Sequence, residues 1–197
     1  MADPITTIGL CAGVGWLDEA VGAGLRHFGL QHRVAAYCEW EAYAQAVLLD
    51  RMEESSLEPA AVWGGDLGGF DGRPFRGTVD GIVAGFPCQP WSNAGKRQGT
   101  EDARWLWPAI VRVIADVGPW FVFLENVSAL ITGGGLEHVL SDLAEMGFDA
   151  EWCCLTAEAV GASHRRDRVF ILAYRSSEGG RGLRLFSGGS RQGCDSV

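Results

Sequence analysis

The sequence predicts an α/β fold on a mostly parallel sheet with an antiparallel end. Three observations predict it. Short apolar runs of strand length alternate with segments of helical periodicity, the pattern of strand–helix–strand units. The chain of 197 residues, 47% of them hydrophobic, is large enough for one ordinary domain with a substantial core. No apolar run reaches the ~18 residues needed to span a bilayer. Residues 1–174 read as that domain, and residues 175–197 as a tail rich in Gly, Ser and Arg, flexible by composition.

Thr6–Leu10 is the first strand, followed by a glycine-rich turn and a helix over Leu17–Phe28. Val34–Cys38 is the second strand and Glu41–Met52 the second helix. A weak strand falls at Ala61–Trp63, a buried one at Asp80–Gly85 and another at Trp120–Leu124. Between the last two lie a polar loop, Gln89–Thr100, and a helix over Ala103–Val117. A further helix runs through Leu136–Met146, and the strands Glu151–Thr156 and Arg168–Tyr174 form the antiparallel end.

The net charge of −9 is unevenly placed. Four arginines against Glu178 and Asp195 leave residues 175–197 at +2 and residues 1–174 at −11. A protein that grips duplex DNA needs cations facing the phosphates, so the nucleic-acid contacts of such a body are local or supplied by another piece. The six cysteines form no C-x-x-C pair and stand near no histidine at zinc spacing, so neither a disulfide scaffold nor a metal site is expected. Met1–Ile5 lacks a signal-peptide pattern, which makes the cytoplasm, of a prokaryotic cell or a phage-infected host, the expected compartment.

Cys11-Ala12-Gly13-Val14-Gly15-Trp16 joins a strand to a helix. Glycines there let the backbone approach a ligand closely, or simply make a tight turn. Glu39 ends the second strand, where a carboxylate suits the two hydroxyls of a ribose or sits solvated. Trp40 either stacks on a purine or caps the core, and Asp66 is a further acceptor or a turn residue.

The sharper signal is Gly85-Phe86-Pro87-Cys88-Gln89-Pro90-Trp91-Ser92. Cys88 lies just past the carboxyl end of a central strand, where open parallel sheets bind ligands. Pro87 and Pro90 stiffen the backbone on either side. The following loop carries Gly95, Lys96, Arg97 and Gly99, the composition of a mobile basic lid. Phe123-Leu124-Glu125-Asn126-Val127 delivers a carboxyl to the same edge, and alternation along the last strand sends Arg166 and Arg168 to one side together.

In these residues the chain resembles the DNA cytosine-5 methyltransferases over nearly all of residues 5–174. Ala12, Gly13 and Gly15, with Cys11 before them, resemble the family's S-adenosylmethionine loop; Glu39-Trp40 resembles its ribose and adenine contacts, and Gly65-Asp66-Leu67 its adenine-amino acceptor. Pro87-Cys88-Gln89-Pro90-Trp91-Ser92 is similar to its catalytic loop, Pro87 also bordering the cofactor and Gln89, Ser92, Lys96 and Arg97 facing DNA. Glu125-Asn126-Val127 resembles its catalytic acid segment and Arg166-x-Arg168 its arginine pair. The resemblance implies a Rossmann-like methyltransferase fold with helices on both faces, S-adenosylmethionine as cofactor, and DNA containing the target cytosine as partner. It also implies a place in DNA methylation or restriction-modification.

The chemistry explains the residue types. A Cys88 thiolate adding to carbon 6 breaks the aromaticity of cytosine and makes carbon 5 nucleophilic; cysteine ionises far more readily than serine. Glu125, protonated in a water-poor site, donates to ring nitrogen 3. Arg168, with Arg166 in support, holds the carbonyl oxygen or orients Glu125. A base stacked in a duplex is out of reach, so the target must be flipped out.

Three departures stand out. Cys11 takes the place of a usual Phe, Trp16 that of a usual Gly, and Ser163-His164 that of a usual Pro-Gln near the arginine pair. The family also continues into a target-recognition domain, which 23 residues after Tyr174 cannot supply. The reading is therefore a catalytic domain, truncated or completed by a second polypeptide that carries target recognition. The alternatives are a tRNA cytosine-5 methyltransferase and a non-catalytic S-adenosylmethionine-binding subunit. Pro90-Trp91-Ser92 favours DNA over tRNA.

Overall fold

A computed structural model describes residues 3–87 and 105–175. Its elements, in order, are β1 (Ile5–Leu10), α1 (Trp16–His27), β2 (His32–Cys38), α2 (Ala42–Glu53), β3 (Ala61–Trp63), β4 (Gly81–Gly85), α3 (Trp107–Val117), β5 (Phe121–Val127), α4 (Ala129–Thr132), α5 (Gly135–Glu145), β6 (Asp149–Thr156) and β7 (Asp167–Tyr174). The strands follow the order β3-β2-β1-β4-β5-β7-β6. β1 pairs in parallel with β2 and β4, and β2 with β3, whereas β6 and β7 are antiparallel. The expected α/β architecture, a mostly parallel sheet with an antiparallel end and flanking helices, is the observed one.

The chain divides into two compact units, Met1–Gly85 with Pro108–Val122, and Phe86–Trp107 with Phe123–Val197. In the first, β1 is buried along its whole length, as a strand with neighbours on both sides and helices against it must be. Val34 and Tyr37 of β2 pack with Leu48 of α2 and Leu57. α3 buries Ile110, Val113, Ile114 and Val117, a single helical stripe. Gly81 is required by packing, because a Cβ there would run into the Phe121 ring. In the second unit, α5 buries Leu136, Val139 and Leu143. Phe86 packs its ring against Trp105 and Trp107. The Trp107 indole N–H donates to Asp142 Oδ2 at 2.7 Å.

Three boundaries differ from expectation in ways that bear on the site. α3 starts at Trp107 rather than Ala103, and Trp105-Leu106 are not helical. Pro108 explains the start, since proline lacks an N–H and is accepted only in a helix's first turn. β5 continues past Leu124 to Val127, so Glu125 lies within the strand and not beyond its end. β7 begins at Asp167, so Arg166 precedes the strand and alternation does not extend to it.

Candidate active site

In the first unit the sheet register gathers the predicted cofactor residues along one edge. Leu10 is paired with Cys38 on one side and Ala84 on the other, and Cys38 with Trp63. The last residues of β1, β2 and β3 thus stand in one row, level with the end of β4. The glycine turn, Glu39-Trp40, the Asp66 turn and the chain leading into Phe86 all leave from that row. The strand order reverses between β1 and β4, the topological switch point outside which open α/β sheets hold ligands.

The turn after β1 holds three residues in the left-handed region, Cys11 (φ 50), Gly13 (φ 55) and Gly15 (φ 82). Two of them are glycines, for which this costs nothing sterically. Its backbone groups are tied down individually: Ala12 N–H donates to the Cys38 carbonyl at 3.2 Å and Gly15 N–H to the Ala12 carbonyl at 2.9 Å. Gly13 N–H donates to Glu39 Oε2 at 2.7 Å. A Cβ on Gly13 would meet nothing within 4 Å, so this point of the turn borders open space. Trp16 is the first residue of α1, needs no glycine conformation, and leaves its indole 66% exposed. The Cys11 thiol is pushed up to about 12 by burial, then by Cys38 and Glu39, which leaves it protonated and unreactive.

Glu39 is 7% exposed, and its second oxygen accepts from Glu41 N–H at 2.7 Å. Two backbone donors satisfy the buried carboxylate and make Glu39 a tie between the glycine turn and the start of α2. Gln45 adds to this by donating to the carbonyls of Glu39 (2.9 Å) and Trp40 (3.1 Å). The Trp40 ring is 65% exposed, so it does not cap the core. Asp66 Oδ1 accepts from Gly68 N–H at 2.5 Å, opening a short 3₁₀ turn, Leu67–Gly69. Arg112 of α3 holds that turn by donating to the carbonyls of Leu67 (2.8 Å) and Phe70 (2.9 Å). Nothing in the apolar pattern of α3 marks Arg112 for this task.

In the second unit, Arg168 Nε lies 2.5 Å from Glu125 Oε1, with side chains 21% and 25% exposed. Arg168 Nη1 also donates to the Asp167 carbonyl at 2.9 Å, which fixes the guanidinium plane. Arg166 does not share this place. It is exposed, and its carbonyl accepts from Ala157 N–H at 3.2 Å. Arg165 pairs with Asp167 at 3.4 Å. Asn126, the neighbour of Glu125, carries no separate role in the sequence motif. It is 2% exposed, donates from Nδ2 to the Phe86 carbonyl at 3.0 Å and accepts from Val127 N–H at 2.8 Å. The end of β5 thereby grips the backbone two residues before Cys88. Pro87 is exposed. Cys88, Gln89, Ser92, Lys96 and Arg97 lie outside the described residues.

A family model described as C-5 cytosine-specific DNA methylase matches residues 5–187. The chain belongs to that family. Among curated relatives, the Type II methyltransferase M.NgoMIV of Neisseria gonorrhoeae is 31% identical over 177 residues, covering 87% of this chain and 52% of its own length. M.CviJI of Paramecium bursaria Chlorella virus IL3A is 33% identical over 170 residues, covering 86% of this chain and 43% of its own. Among solved structures, a mutant of Spodoptera frugiperda DNMT2 superposes with a TM-score of 0.69 at 19% identity, covering 88% of this chain and 50% of the other. The chain thus spans about half the length of these relatives.

Membership in the C-5 cytosine methylase family brings S-adenosylmethionine as the cofactor of the fold, and the residues present fit it. An open space borders Gly13, a buried carboxylate lies beside it, and an exposed indole follows at Trp40. Asp66 keeps Oδ2 out of hydrogen bonds among the described residues. No helix among the described residues is long and apolar enough to cross a membrane.

Proposed function

We propose that this chain is the catalytic half of an S-adenosylmethionine-dependent enzyme that methylates carbon 5 of cytosine in DNA. The observation that carries it is the Glu125–Arg168 pair on β5 and β7, in a chain whose sequence places Cys88 three residues after β4. Glu39, Trp40, Asp66 and the turn from Cys11 to Gly15 would hold the cofactor, a role that the family resemblance extends to Pro87. When bound, S-adenosylmethionine supplies the methyl group. The Cys88 thiolate forms a bond to carbon 6 of a flipped-out cytosine, Glu125 shares a proton with ring nitrogen 3, and Arg168 holds Glu125 in place. Carbon 5 then gives up its proton to a base, and Cys88 leaves as the thiolate. Gln89, Ser92, Lys96 and Arg97 meet the DNA, and the exposed Arg166, outside the Glu125–Arg168 pair, adds a cation for the nucleic acid. A second polypeptide or a further domain chooses the target sequence, which fits a body at −11.

Two observations favour DNA: the matching family model is described as a C-5 cytosine-specific DNA methylase, and Pro90-Trp91-Ser92 follows the DNA pattern. The same chemistry on RNA is the second reading, supported by the fold likeness to DNMT2 structures, with TM-scores of 0.69 for the insect enzyme and 0.66 for that of S. pombe. The test is covalent trapping with S-adenosylmethionine and 5-fluorocytosine in DNA or in tRNA, with and without the products of neighbouring genes. A denaturation-resistant adduct with DNA that Cys88→Ser abolishes is the expected result. An adduct only with tRNA moves the activity to RNA, trapping that survives the substitution removes Cys88, and cofactor binding with no adduct makes the chain a binding subunit.

A further inference from the structure

Arg51, in the last turn of α2, reaches across to the glycine turn and the first turn of α1 and makes three contacts there. Its Nη1 donates to the Val14 carbonyl at 2.5 Å. Its Nη2 pairs with Glu19 Oε2 at 2.6 Å. Its guanidinium carbon lies 4.4 Å from the centre of the Trp16 ring. A Cβ on Gly15 would stand 3.7 Å from Nη1, so the same guanidinium also backs the left-handed Gly15. The Arg51 side chain is only 14% exposed, while its partners are more open, Glu19 at 36% and Trp16 at 66%.

We infer that Arg51 is a positioning residue for the cofactor turn, an inference that rests on this turn holding S-adenosylmethionine. The Val14–Gly15 peptide is held at both ends, its carbonyl by Arg51 and its N–H by the Ala12 carbonyl. The preceding Gly13 N–H is held by Glu39. Glu39 and Arg51 therefore grip the Ala12–Gly13 and Val14–Gly15 peptides, with one peptide between them, and the open space at Gly13 lies between the two grips in the chain. The glycines that allow the turn its shape do not select it, because glycine visits left- and right-handed conformations about equally. A fixed external partner does. Trp16, which stands where the family usually has glycine, completes the arrangement by offering its ring face to the guanidinium.

Only arginine serves three such partners at once. Its planar fork has donors in two directions and a face that stacks, whereas a lysine ammonium is a single point. Arg51→Met therefore releases the Val14 carbonyl and leaves Glu19 without its cation, while Arg51→Lys keeps one contact.

The test uses the full chain and three variants, Arg51→Met, Arg51→Lys and Glu19→Gln, with hydrogen exchange of the segment 11–19, calorimetric titration with S-adenosylmethionine and thermal unfolding. The expected result for Arg51→Met is faster exchange in 11–19 with β4 unchanged, and cofactor affinity reduced ten-fold or more at a temperature where the protein is folded. Arg51→Lys falls between this variant and the parent, and Glu19→Gln shows a smaller shift in the same direction. If Arg51→Met does not fold, the other two carry the comparison. Unchanged exchange, or a lower melting temperature with affinity within two-fold of the parent, overturns the inference and leaves a merely structural residue. A parent chain that binds no S-adenosylmethionine overturns the cofactor reading of the turn, and the exchange data still decide whether Arg51 clamps it.

Discussion

Arg168 Nε stands 2.5 Å from Glu125 Oε1, joining β5, the strand of the acid segment, to the second residue of β7. The partly buried guanidinium holds the carboxyl in one orientation, the preorganisation that the role proposed for Glu125 at a ring nitrogen requires. Loss of Arg168 leaves the carboxyl free to rotate.

Arg168→Ala is therefore expected to lower the rate of methylation by roughly 10²-fold or more, the usual cost of removing one preorganised group. Arg168→Lys should recover only part of it, because lysine cannot keep both the Glu125 contact and the Asp167 carbonyl. Single-turnover kinetics on cytosine-containing DNA check this, and a rate for Arg168→Ala equal to the parent removes the pair from the mechanism.

Glu39→Gln should weaken S-adenosylmethionine binding and lower stability by about 1–3 kcal/mol, since a glutamine has one acceptor where Gly13 and Glu41 present two N–H groups. Urea unfolding measures the second effect and calorimetric titration the first. Stability and affinity both unchanged would mean the tie is not formed.

Asn126→Ala should cost about 1–3 kcal/mol, because the Phe86 carbonyl and the Val127 N–H lose a buried partner together. Covalent trapping should fall as well, since the grip sits two residues before Cys88. A variant with lowered stability and full trapping would confine Asn126 to folding.

Asp18 gives a pH signature. It is 1% exposed beside Gly9, its Oδ1 lacks a partner among the described residues, and burial raises its pKa from 3.8 to about 7. The folded chain therefore holds a proton that the unfolded chain releases above pH ~4. Its contribution to stability is full below pH 4 and is lost as the pH rises towards 7, by an amount on the order of a few kcal/mol. Asp18→Asn removes that dependence, so the gap between variant and parent in urea unfolding should widen in favour of the variant from pH 4.5 to 7.5. Parallel curves would show that Asp18 titrates normally.

The sequence by itself determined the strand and helix order, the residues at the strand ends and the family resemblance. These are local properties: apolar period, turn glycines and short motifs are written in neighbouring residues. Glu39, Asp66 and Glu125 were legible for that reason. Tertiary structure decided what each of them touches. Glu39 grips Gly13 26 positions earlier, and Arg168 reaches Glu125 on a neighbouring strand. Arg51, Arg112 and Asn126 carry no local signal, because each acts on backbone carbonyls whose position depends on how separate elements pack. The arginine pair divided for the same reason. Alternation places two residues on one side only inside a strand, and the ladder between β6 and β7 ends at Asp167, one residue short of Arg166.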